Sequence, residues 1–297
     1  MVTTLPAIPN ELKSLYPFTP RSLVTPGGAS LSYLDEGPRS DHVVLMVHGN
    51  PTWSFFYRTL VQALSTRRRC VVPDHIGMGL SEKPQNYDYT LGTRIRDLEA
   101  LMESLAPQTV DLVVHDWGGA IGFGWAGRHA SKIRRIVILN TAAFRSQDIP
   151  ARIAVCRMRG FGTWLVRGLN GFAGPAVQMA MHRRRLTAQE KLGYLLPYDS
   201  WENRVAVNAF VKDIPLSPEH SSYDTLKAVE ERLAQFRQHP ISLVWGGKDF
   251  CFNDHFLARW QEIFPQAVTT RIPDAGHYVL DDGGDQAIQA CLAGLEY

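Results

Sequence analysis

Short apolar runs recur along the chain, and most of them are separated by segments with helical periodicity. An early segment, residues 21–37, alternates in polarity around Gly27 and Gly28, which predicts a β-hairpin. Strands that are apolar on both faces and alternate with helices predict an α/β fold with a largely parallel sheet covered by helices. The apolar runs are residues 43–47, 70–73, 110–114, 136–139 and 241–245.

The pattern changes between Leu139 and Ile241, where about a hundred residues contain no clear strand. Helical patches occur there at residues 153–169 and 188–195. A connection between two strands of an α/β sheet needs only one helix, so the excess predicts an inserted helical cap. We expect three parts, which are a first core segment (1–143), the cap (144–214) and a second core segment (215–297).

The strand predicted at residues 110–114 leads into His-Asp-Trp-Gly-Gly at 115–119, which opens a stretch of small residues. Asp116 therefore lies where a strand turns sharply into a helix, the position of the nucleophile in many hydrolases. A carboxylate is ionised at pH 7 and needs no base before it attacks. Its attack on a saturated carbon with a leaving group gives an ester that water can cleave. The alternative role for Asp116 is that of a helix cap.

Two further residues complete a candidate catalytic set, because the site of an open α/β sheet lies at the carboxyl ends of its strands. His277 follows the strand-like segment 268–272, and the order of nucleophile, acid and base is the one expected for this arrangement. Asp249 follows the strand at 241–245 and can orient the imidazole. Asp254 and Asp274 are rival acids, and an Asx turn is the alternative role of Asp249.

His277 is not required to activate Asp116, so its predicted task is to take a proton from water when the alkyl-enzyme ester is cleaved. Attack and hydrolysis then become separate steps. We expect substitution of His277 to allow the first step and stall the second, which leaves a covalent adduct on Asp116. Intact-mass measurement detects such an adduct, and an unmodified protein after incubation with an active substrate would contradict the prediction.

Asn50 and Trp117 are candidates for binding an anion beside the nucleophile. Asn50 follows the strand at 43–47, and the backbone N–H groups of both residues can form an oxyanion hole. Their side chains add an amide and an indole N–H, both donors able to face a departing halide. The alternatives are core packing for Trp117 and loop hydrogen bonding for Asn50.

Composition limits the classes of partner. The 297 residues are 45% hydrophobic, and 31 basic against 29 acidic residues leave a net charge of +2, which argues against nucleic acid and favours a small molecule. Four widely spaced cysteines form no C-x-x-C pair, so neither metal nor redox motif is expected, and no cofactor is implied. No signal-peptide pattern or long apolar run occurs. We expect a cytoplasmic protein and a homo-oligomer.

The motifs at residues 48–54, 73–81 and 115–119 resemble those of the haloalkane dehalogenases of the α/β-hydrolase superfamily. The resemblance extends over most of the chain and is weakest in the cap. It implies an α/β-hydrolase fold with an inserted helical cap and a carbon–halogen hydrolase that gives an alcohol and halide. It also implies that Asp116 is the nucleophile, His277 the base and Asp249 the acid. Asn50 and Trp117 are then the halide-binding pair.

The subgroup with this late acid and Asn-Trp pair also contains β-lactone decarboxylases of long-chain olefin synthesis. Residues 197–201, 213–218 and 277–282 look at least as much like those enzymes. The site motif does not separate the two activities, so haloalkane dehalogenase is the main prediction and β-lactone decarboxylase the alternative. An epoxide hydrolase also uses Asp and His, with paired cap tyrosines for which Tyr194 and Tyr198 are candidates, but Asn50 argues against it.

A different class of function follows from the basic and apolar residues of the cap at 152–167 and 183–185. These segments predict contact with an acidic lipid surface or a protein partner, with the pocket vestigial. Solvated cap faces explain the same charges more simply.

Val114 is a departure from serine hydrolases, which have Gly two residues before the nucleophile.

Overall fold

A computed structural model describes residues 8–296 and contains one eight-stranded sheet. The strand order is β1-β2-β4-β3-β5-β6-β7-β8. The pairs β1/β2 and β2/β4 are antiparallel and every other neighbouring pair is parallel. The strands are β1 (Arg21–Val24), β2 (Ser30–Glu36), β3 (His42–Val47), β4 (Arg69–Pro73), β5 (Thr109–Asp116), β6 (Ile133–Thr141), β7 (Ile241–Gly246) and β8 (Val268–Ile272).

Helices cover both faces of the sheet. They are α1 (Arg58–Leu64), α2 (Leu91–Leu105), α3 (Trp117–Ala126), α4 (Ala151–Arg157), α5 (Phe161–Thr163), α6 (Ala173–Met179), α7 (Ala188–Leu195), α8 (Val205–Lys212), α9 (Tyr223–Arg232), α10 (Asp254–Ile263), α11 (Val279–Asp282) and α12 (Gly284–Leu295). A π-helical turn (Trp164–Gly168) extends α5. Short 3₁₀ turns occur at Asn10–Leu12, Ser54–Tyr57, Ala130–Lys132, Leu196–Tyr198, Glu202–Arg204 and Leu233–Phe236.

Each predicted strand lies within an observed one, and the physical reason is visible in β3. Val43, Leu45 and Val47 pack into one apolar cluster, whereas Val44 and Met46 pack into another on the opposite face. Successive side chains of a strand point to opposite faces, so a continuous apolar run fills two cores. The predicted hairpin at 21–37 is confirmed as the antiparallel pair β1/β2.

The segment between β6 and β7 is helical, with α4 to α8 placed over the carboxyl ends of the strands that carry the site. The helical patch predicted at residues 153–169 is helical in two parts. Helix α4 ends at Arg157, and Gly160, with φ of 73°, redirects the chain before α5 begins. Only glycine adopts such a conformation readily, and the helix is interrupted there. The cap boundaries at 144 and 214 stay predictions.

None of the helices among residues 8–296 is both long and apolar enough to cross a membrane.

Candidate active site

Asp116 is the last residue of β5, and α3 begins at the next residue. Its backbone has φ of 52° and ψ of −128°, a conformation that non-glycine residues rarely adopt. The turn brings the side chain against the loop after β3, where a Cβ on Gly49 would collide with the Asp116 carboxylate. A glycine at position 49 is therefore required for the close approach of that loop.

Val114 stands where serine hydrolases have glycine, and the structure shows how it is accommodated. A Cβ added to Gly122, one turn into α3, would lie 2.7 Å from Val114 Cγ1. The space that a glycine before the nucleophile would leave is thus supplied by a glycine of the following helix. The sharp turn forms despite the larger side chain.

The two oxygens of the Asp116 carboxylate have different neighbours. Oδ1 accepts a hydrogen bond from the backbone N–H of Asn50 at 2.5 Å, and the backbone N–H of Trp117 is near enough to lower the pKa of the carboxyl. Oδ2 lies 3.7 Å from His277 Nε2. The Asn50 N–H therefore holds the carboxylate through Oδ1, and Oδ2 faces the imidazole. The oxyanion hole formed with Trp117 N–H stays a prediction.

Asp249 orients His277, because its Oδ2 lies 2.7 Å from His277 Nδ1. Its other oxygen, Oδ1, accepts hydrogen bonds from the backbone N–H of Cys251 at 2.6 Å and of Phe252 at 3.1 Å. The structure thus brings together Asp116, His277 and Asp249. The rival acids lie elsewhere: Asp254 pairs with Arg271 at 2.7 Å, and Asp274 pairs with Arg183 at 3.2 Å.

Asn140 has a structural role at the site that the sequence did not predict. Its amide accepts a hydrogen bond from Gly246 N at 2.8 Å and donates to Gly246 O at 3.0 Å and Phe252 O at 3.3 Å. Asn140 is at the end of β6, so it ties that strand to both ends of the turn that carries Asp249. No local sequence signal links it to residues more than a hundred positions away.

His115 was also missed, although its place directly before Asp116 was a signal. Its ring is buried and stacks between Phe56 and His277, with centroid distances of 4.1 and 4.6 Å. His115 Nε2 lies 2.9 Å from the backbone oxygen of His277. Burial lowers the pKa of His115 well below its usual value, so the ring is neutral and donates this hydrogen bond.

Charge and burial set the protonation of the site. Burial alone would lower the pKa of His277, but the carboxylates of Asp249 and Asp116 outweigh it and raise that pKa above its usual value. Burial raises the pKa of Asp116, opposed by His277 and by the N–H groups of Asn50 and Trp117. The imidazole between these two carboxylates therefore keeps its proton to a higher pH than an ordinary histidine does.

The side chains of Asn50 and Trp117 differ in availability. Asn50 Nδ2 donates to Val207 O of α8 at 3.1 Å, and its buried Oδ1 has no hydrogen-bond partner among the described residues. The Trp117 indole lines the cavity and packs against Phe210 at 5.3 Å, and within residues 8–296 its N–H has no recorded acceptor. One of the two predicted side-chain donors is thus partly committed to the cap.

Above the carboxylate lies a cavity of about 570 Å³ between the sheet and the cap. Apart from the site residues, its lining is apolar except for Ser146, Asp148 and Arg152. Asp148 and Arg152 are exposed, whereas Asp116 and His277 are buried, so the first two mark the opening of the cavity and the candidate catalytic groups mark its inner end. The apolar wall is contributed by residues such as Phe144, Ile153, Leu165, Phe172, Val211 and Phe256.

The cap tyrosines do not form the pair expected of an epoxide hydrolase. Tyr194 donates its hydroxyl to Asp281, and the Tyr198 hydroxyl lies 3.3 Å from Thr52 O. Both are buried, and neither lines the cavity. The geometry therefore gives that alternative no support.

Comparison with known proteins matches this arrangement to one family. The sequence model of the protein family described as alpha/beta hydrolase fold matches residues 42–284. The chain belongs to the α/β-hydrolase family. Its identity to the cis-3-alkyl-4-alkyloxetan-2-one decarboxylase of Xanthomonas campestris pv. campestris is 44% over 292 residues, which cover 95% of this chain and 97% of the relative.

More distant members of the α/β-hydrolase family carry a different name. Haloalkane dehalogenase 2 of Mycobacterium tuberculosis is 29% identical over 289 residues, covering 94% of this chain and 95% of that protein. Among solved structures, haloalkane dehalogenase DbeA from Bradyrhizobium elkanii aligns with a TM-score of 0.83 at 24% identity, covering 94% of this chain and 97% of its own. The predicted resemblance and the predicted α/β-hydrolase fold are both confirmed.

Proposed function

We propose that this enzyme is a β-lactone decarboxylase that converts a cis-3-alkyl-4-alkyloxetan-2-one into an alkene and carbon dioxide. The observation that carries the proposal is the 44% identity, across 95% of the chain, to a protein of that name. Identity to a haloalkane dehalogenase is 29% over a similar length. The sequence motifs alone made dehalogenation the main prediction, and the comparison favours the alternative.

The reaction begins with attack of Asp116 Oδ2 on C4 of the lactone ring. The C4–O1 bond breaks, its electrons remain on O1, and the former ring carbonyl becomes a carboxylate attached to C3. Relief of ring strain favours this step, which forms an ester between Asp116 and C4. Oδ2 is the oxygen that remains for attack because Oδ1 is held by Asn50 N.

Loss of carbon dioxide completes the cycle. The electrons of the bond between C3 and its carboxylate form the C3=C4 double bond, and the C4–O bond to Asp116 breaks. The enzyme carboxylate is regenerated, and neither water nor a proton is consumed. Inversion at C4 followed by anti elimination converts a cis lactone into a cis alkene.

His277 stabilises the carboxylate that develops when the ring opens. Its protonated form, favoured by Asp249 and Asp116, carries the positive charge near the site of reaction. A charge placed in advance at a developing anion is a main source of catalysis in a dry site. Asp249 has the role of orienting the ring, and the Trp117 indole N–H is a further donor toward the same carboxylate.

Dehalogenation is a second candidate because the same groups can perform it. The Trp117 indole beside Asp116 can donate to a departing halide, and neutral His277 can activate water for ester cleavage. That reaction requires water to enter the site after the first step. The lactone reaction does not.

Parallel assays separate these functions. The purified protein is given synthetic cis-3,4-dialkyl-oxetan-2-ones and 1-bromoalkanes of matched chain length, and alkene, carbon dioxide and bromide are measured. We expect alkene and carbon dioxide in equal amounts from the lactones, lost in Asp116→Asn. Bromide release with no alkene would replace the proposal with dehalogenation.

Within this proposal we expect the core segments, 1–143 and 215–297, to carry the groups that act on the lactone and the cap, 144–214, to enclose its alkyl chains.

A further inference from the structure

The outer surface of the cap carries a concentrated group of exposed apolar side chains. Among residues 8–296, nine large hydrophobic side chains are exposed, and five of them lie between positions 155 and 169. A sixth, Trp201, stacks under the guanidinium of Arg167 at 4.6 Å. We name these six the cap patch: Val155, Met158, Phe161, Trp164, Leu169 and Trp201. Clustered exposure of this kind marks an interaction surface.

The cap patch is continuous with the opening of the catalytic cavity. Val155 belongs to both, because it lines the cavity and is 39% exposed. Phe161 and Trp164 follow on the next helical segment, with ring centroids 6.2 Å apart. A surface that covered the patch would therefore lie directly at the cavity entrance.

Charge along the segment that carries five of the six patch residues is of one sign, and the exposed Glu202 beside Trp201 lies near Arg167. Residues 149–189 contain seven arginines and neither aspartate nor glutamate, whereas the whole chain has a net charge of only +2. In the part of the chain that the structure describes, Arg152, Arg157, Arg159 and Arg167 form no ion pair. Arg159 is exposed, and its side chain has no recorded hydrogen bond within that part. The acid at the entrance, Asp148, lies 3.7 Å from His255.

The other basic segment of the cap serves a different purpose. Arg184 contacts Glu190 at 2.7 Å and Asp281 at 3.6 Å, and Arg183 contacts Asp274. Two of the three arginines at 183–185 are thus neutralised within the molecule. Among the described residues, the cap arginines at positions 152–167, along the segment that carries most of the cap patch, form no ion pair.

We propose that the cap patch binds the surface of an anionic lipid bilayer and places the cavity entrance against it. Exposed Trp, Phe and Leu side chains enter the boundary between headgroups and acyl chains, and arginines bind the phosphates while their aliphatic stems stay in apolar surroundings. A second copy of this chain fits less well, because a two-fold contact would set the same arginines against each other.

The role of this membrane contact in supplying substrate and releasing product rests on the proposed function. A lactone with two alkyl chains and its alkene product both partition into bilayers, so an entrance at the membrane surface lets them exchange without crossing water. Binding itself does not depend on the reaction. It is therefore measured without substrate, and its failure is distinct from a failure of lactone turnover.

The test is co-sedimentation of the purified protein with vesicles of phosphatidylcholine, with and without an equal part of phosphatidylglycerol. We expect binding to the anionic vesicles that weakens with added salt. Replacing both aromatics, Phe161→Ser with Trp164→Ser, is expected to weaken binding at least tenfold. Arg159→Glu should weaken it by about tenfold at low salt.

A matched variant provides the control. Val268 is 70% exposed on the core, and Arg237 is exposed there as well. Val268→Ser with Arg237→Glu removes the same kinds of groups away from the cap and should leave binding unchanged. Circular dichroism checks that each variant is folded. Absence of sedimentation at low salt, or equal losses in the control and patch variants, would overturn the proposal.

A change of sedimentation coefficient in the patch variants without vesicle binding would also overturn it, since the patch would then be a contact between copies.

A second readout links binding to turnover. Phe161 and Trp164 do not line the cavity, so their double variant should cleave a short-chain lactone in solution at the normal rate. The same variant should be slowed about tenfold on a long-chain lactone carried in anionic vesicles. Equal rates of the double variant and the unsubstituted protein on the vesicle-borne lactone would contradict the role of the cap patch.

Discussion

The two oxygens of Asp116 lie in different surroundings, and this difference governs the chemistry available to the site. Oδ1 is held by Asn50 N, while Oδ2 lies 3.7 Å from His277 Nε2. A carboxylate held through one oxygen presents the other in a defined direction, which lowers the entropic cost of attack. The same geometry serves attack on a lactone carbon or on a halogenated carbon.

The pH dependence distinguishes the two reactions. Ring opening uses protonated His277, so we expect kcat/KM for the lactone to fall as pH rises through the raised pKa of His277. It should also fall at low pH as Asp116 gains a proton, starting above the range of an exposed carboxyl because burial raises that pKa. Adduct hydrolysis needs neutral His277, so bromoalkane turnover would rise with pH instead. A lactone profile that rises through the same range contradicts the assigned role.

Removal of the imidazole gives a second test at this scale. We expect His277→Ala to slow lactone decarboxylation by about 10²–10³-fold, because a preorganised charge is lost. No adduct should accumulate, since decarboxylation frees Asp116 without water. With a bromoalkane the same variant should trap an alkyl ester on Asp116. Intact-mass spectra after incubation with each substrate check both outcomes, and a stable lactone adduct would show that His277 acts in the second step.

Single residues also show where sequence reasoning stops. The positions of Asp116, His277, Asp249 and the backbone donors followed from strand ends and chain order, and the structure brings them together. The Asn50 amide was expected to face an anion, yet it donates to Val207 O, 157 positions away. Nothing local to Asn50 indicates that contact, because it depends on how the cap docks.

Between elements, a buried ionic cluster joins core, cap and the segment after the catalytic histidine. Arg58 of α1 contacts Asp281 at 2.6 Å and Glu190 of α7 at 3.4 Å, and it donates to Phe55 O at 3.0 Å. Asp282 accepts hydrogen bonds from the backbone of the cap at His182 and from Gly276, beside His277. The position of His277 is therefore fixed by the cap as well as by the sheet.

Loss of the central arginine should be costly. Arg58→Ala leaves Asp281 buried and without its main partner, so we expect the free energy of unfolding to fall by about 3–5 kcal/mol. Arg67, exposed just after α1, is the matched control. Arg67→Ala should change the free energy of unfolding by less than about 0.5 kcal/mol. Urea denaturation measures both. A loss for Arg58→Ala as small as that of the control would show that the cluster does not hold the cap.

The elements themselves were largely predictable. Continuous apolar runs identified the strands because burial on both faces leaves few choices of residue. The break at Gly160 was not foreseen, since periodicity on its two sides is compatible with one helix. Arg58 and Asp281 are separated by 223 positions, and charged residues carry no periodic signal, so the cluster required the structure.

At the scale of the whole molecule, the cavity between sheet and cap determines which chains fit. Ala176 of α6 lines it and is nearly buried. Ala176→Phe adds a ring to the wall, so we expect kcat/KM to fall at least tenfold for long-chain lactones relative to short ones. Ala154→Phe on α4 is the control, because Ala154 is exposed and does not line the cavity. Equal losses across all chain lengths would show that Ala176 does not limit chain length.

The central claim is that Asp116 opens a β-lactone and expels carbon dioxide without water. The most direct test is multiple turnover of a cis-3-alkyl-4-alkyloxetan-2-one in H₂¹⁸O, with alkene measured and the peptide containing Asp116 analysed by mass spectrometry. We expect cis alkene, no β-hydroxy acid and no ¹⁸O in Asp116, with Asp116→Asn inactive. A β-hydroxy acid product together with ¹⁸O in Asp116 would contradict it, because both require hydrolysis of the enzyme ester.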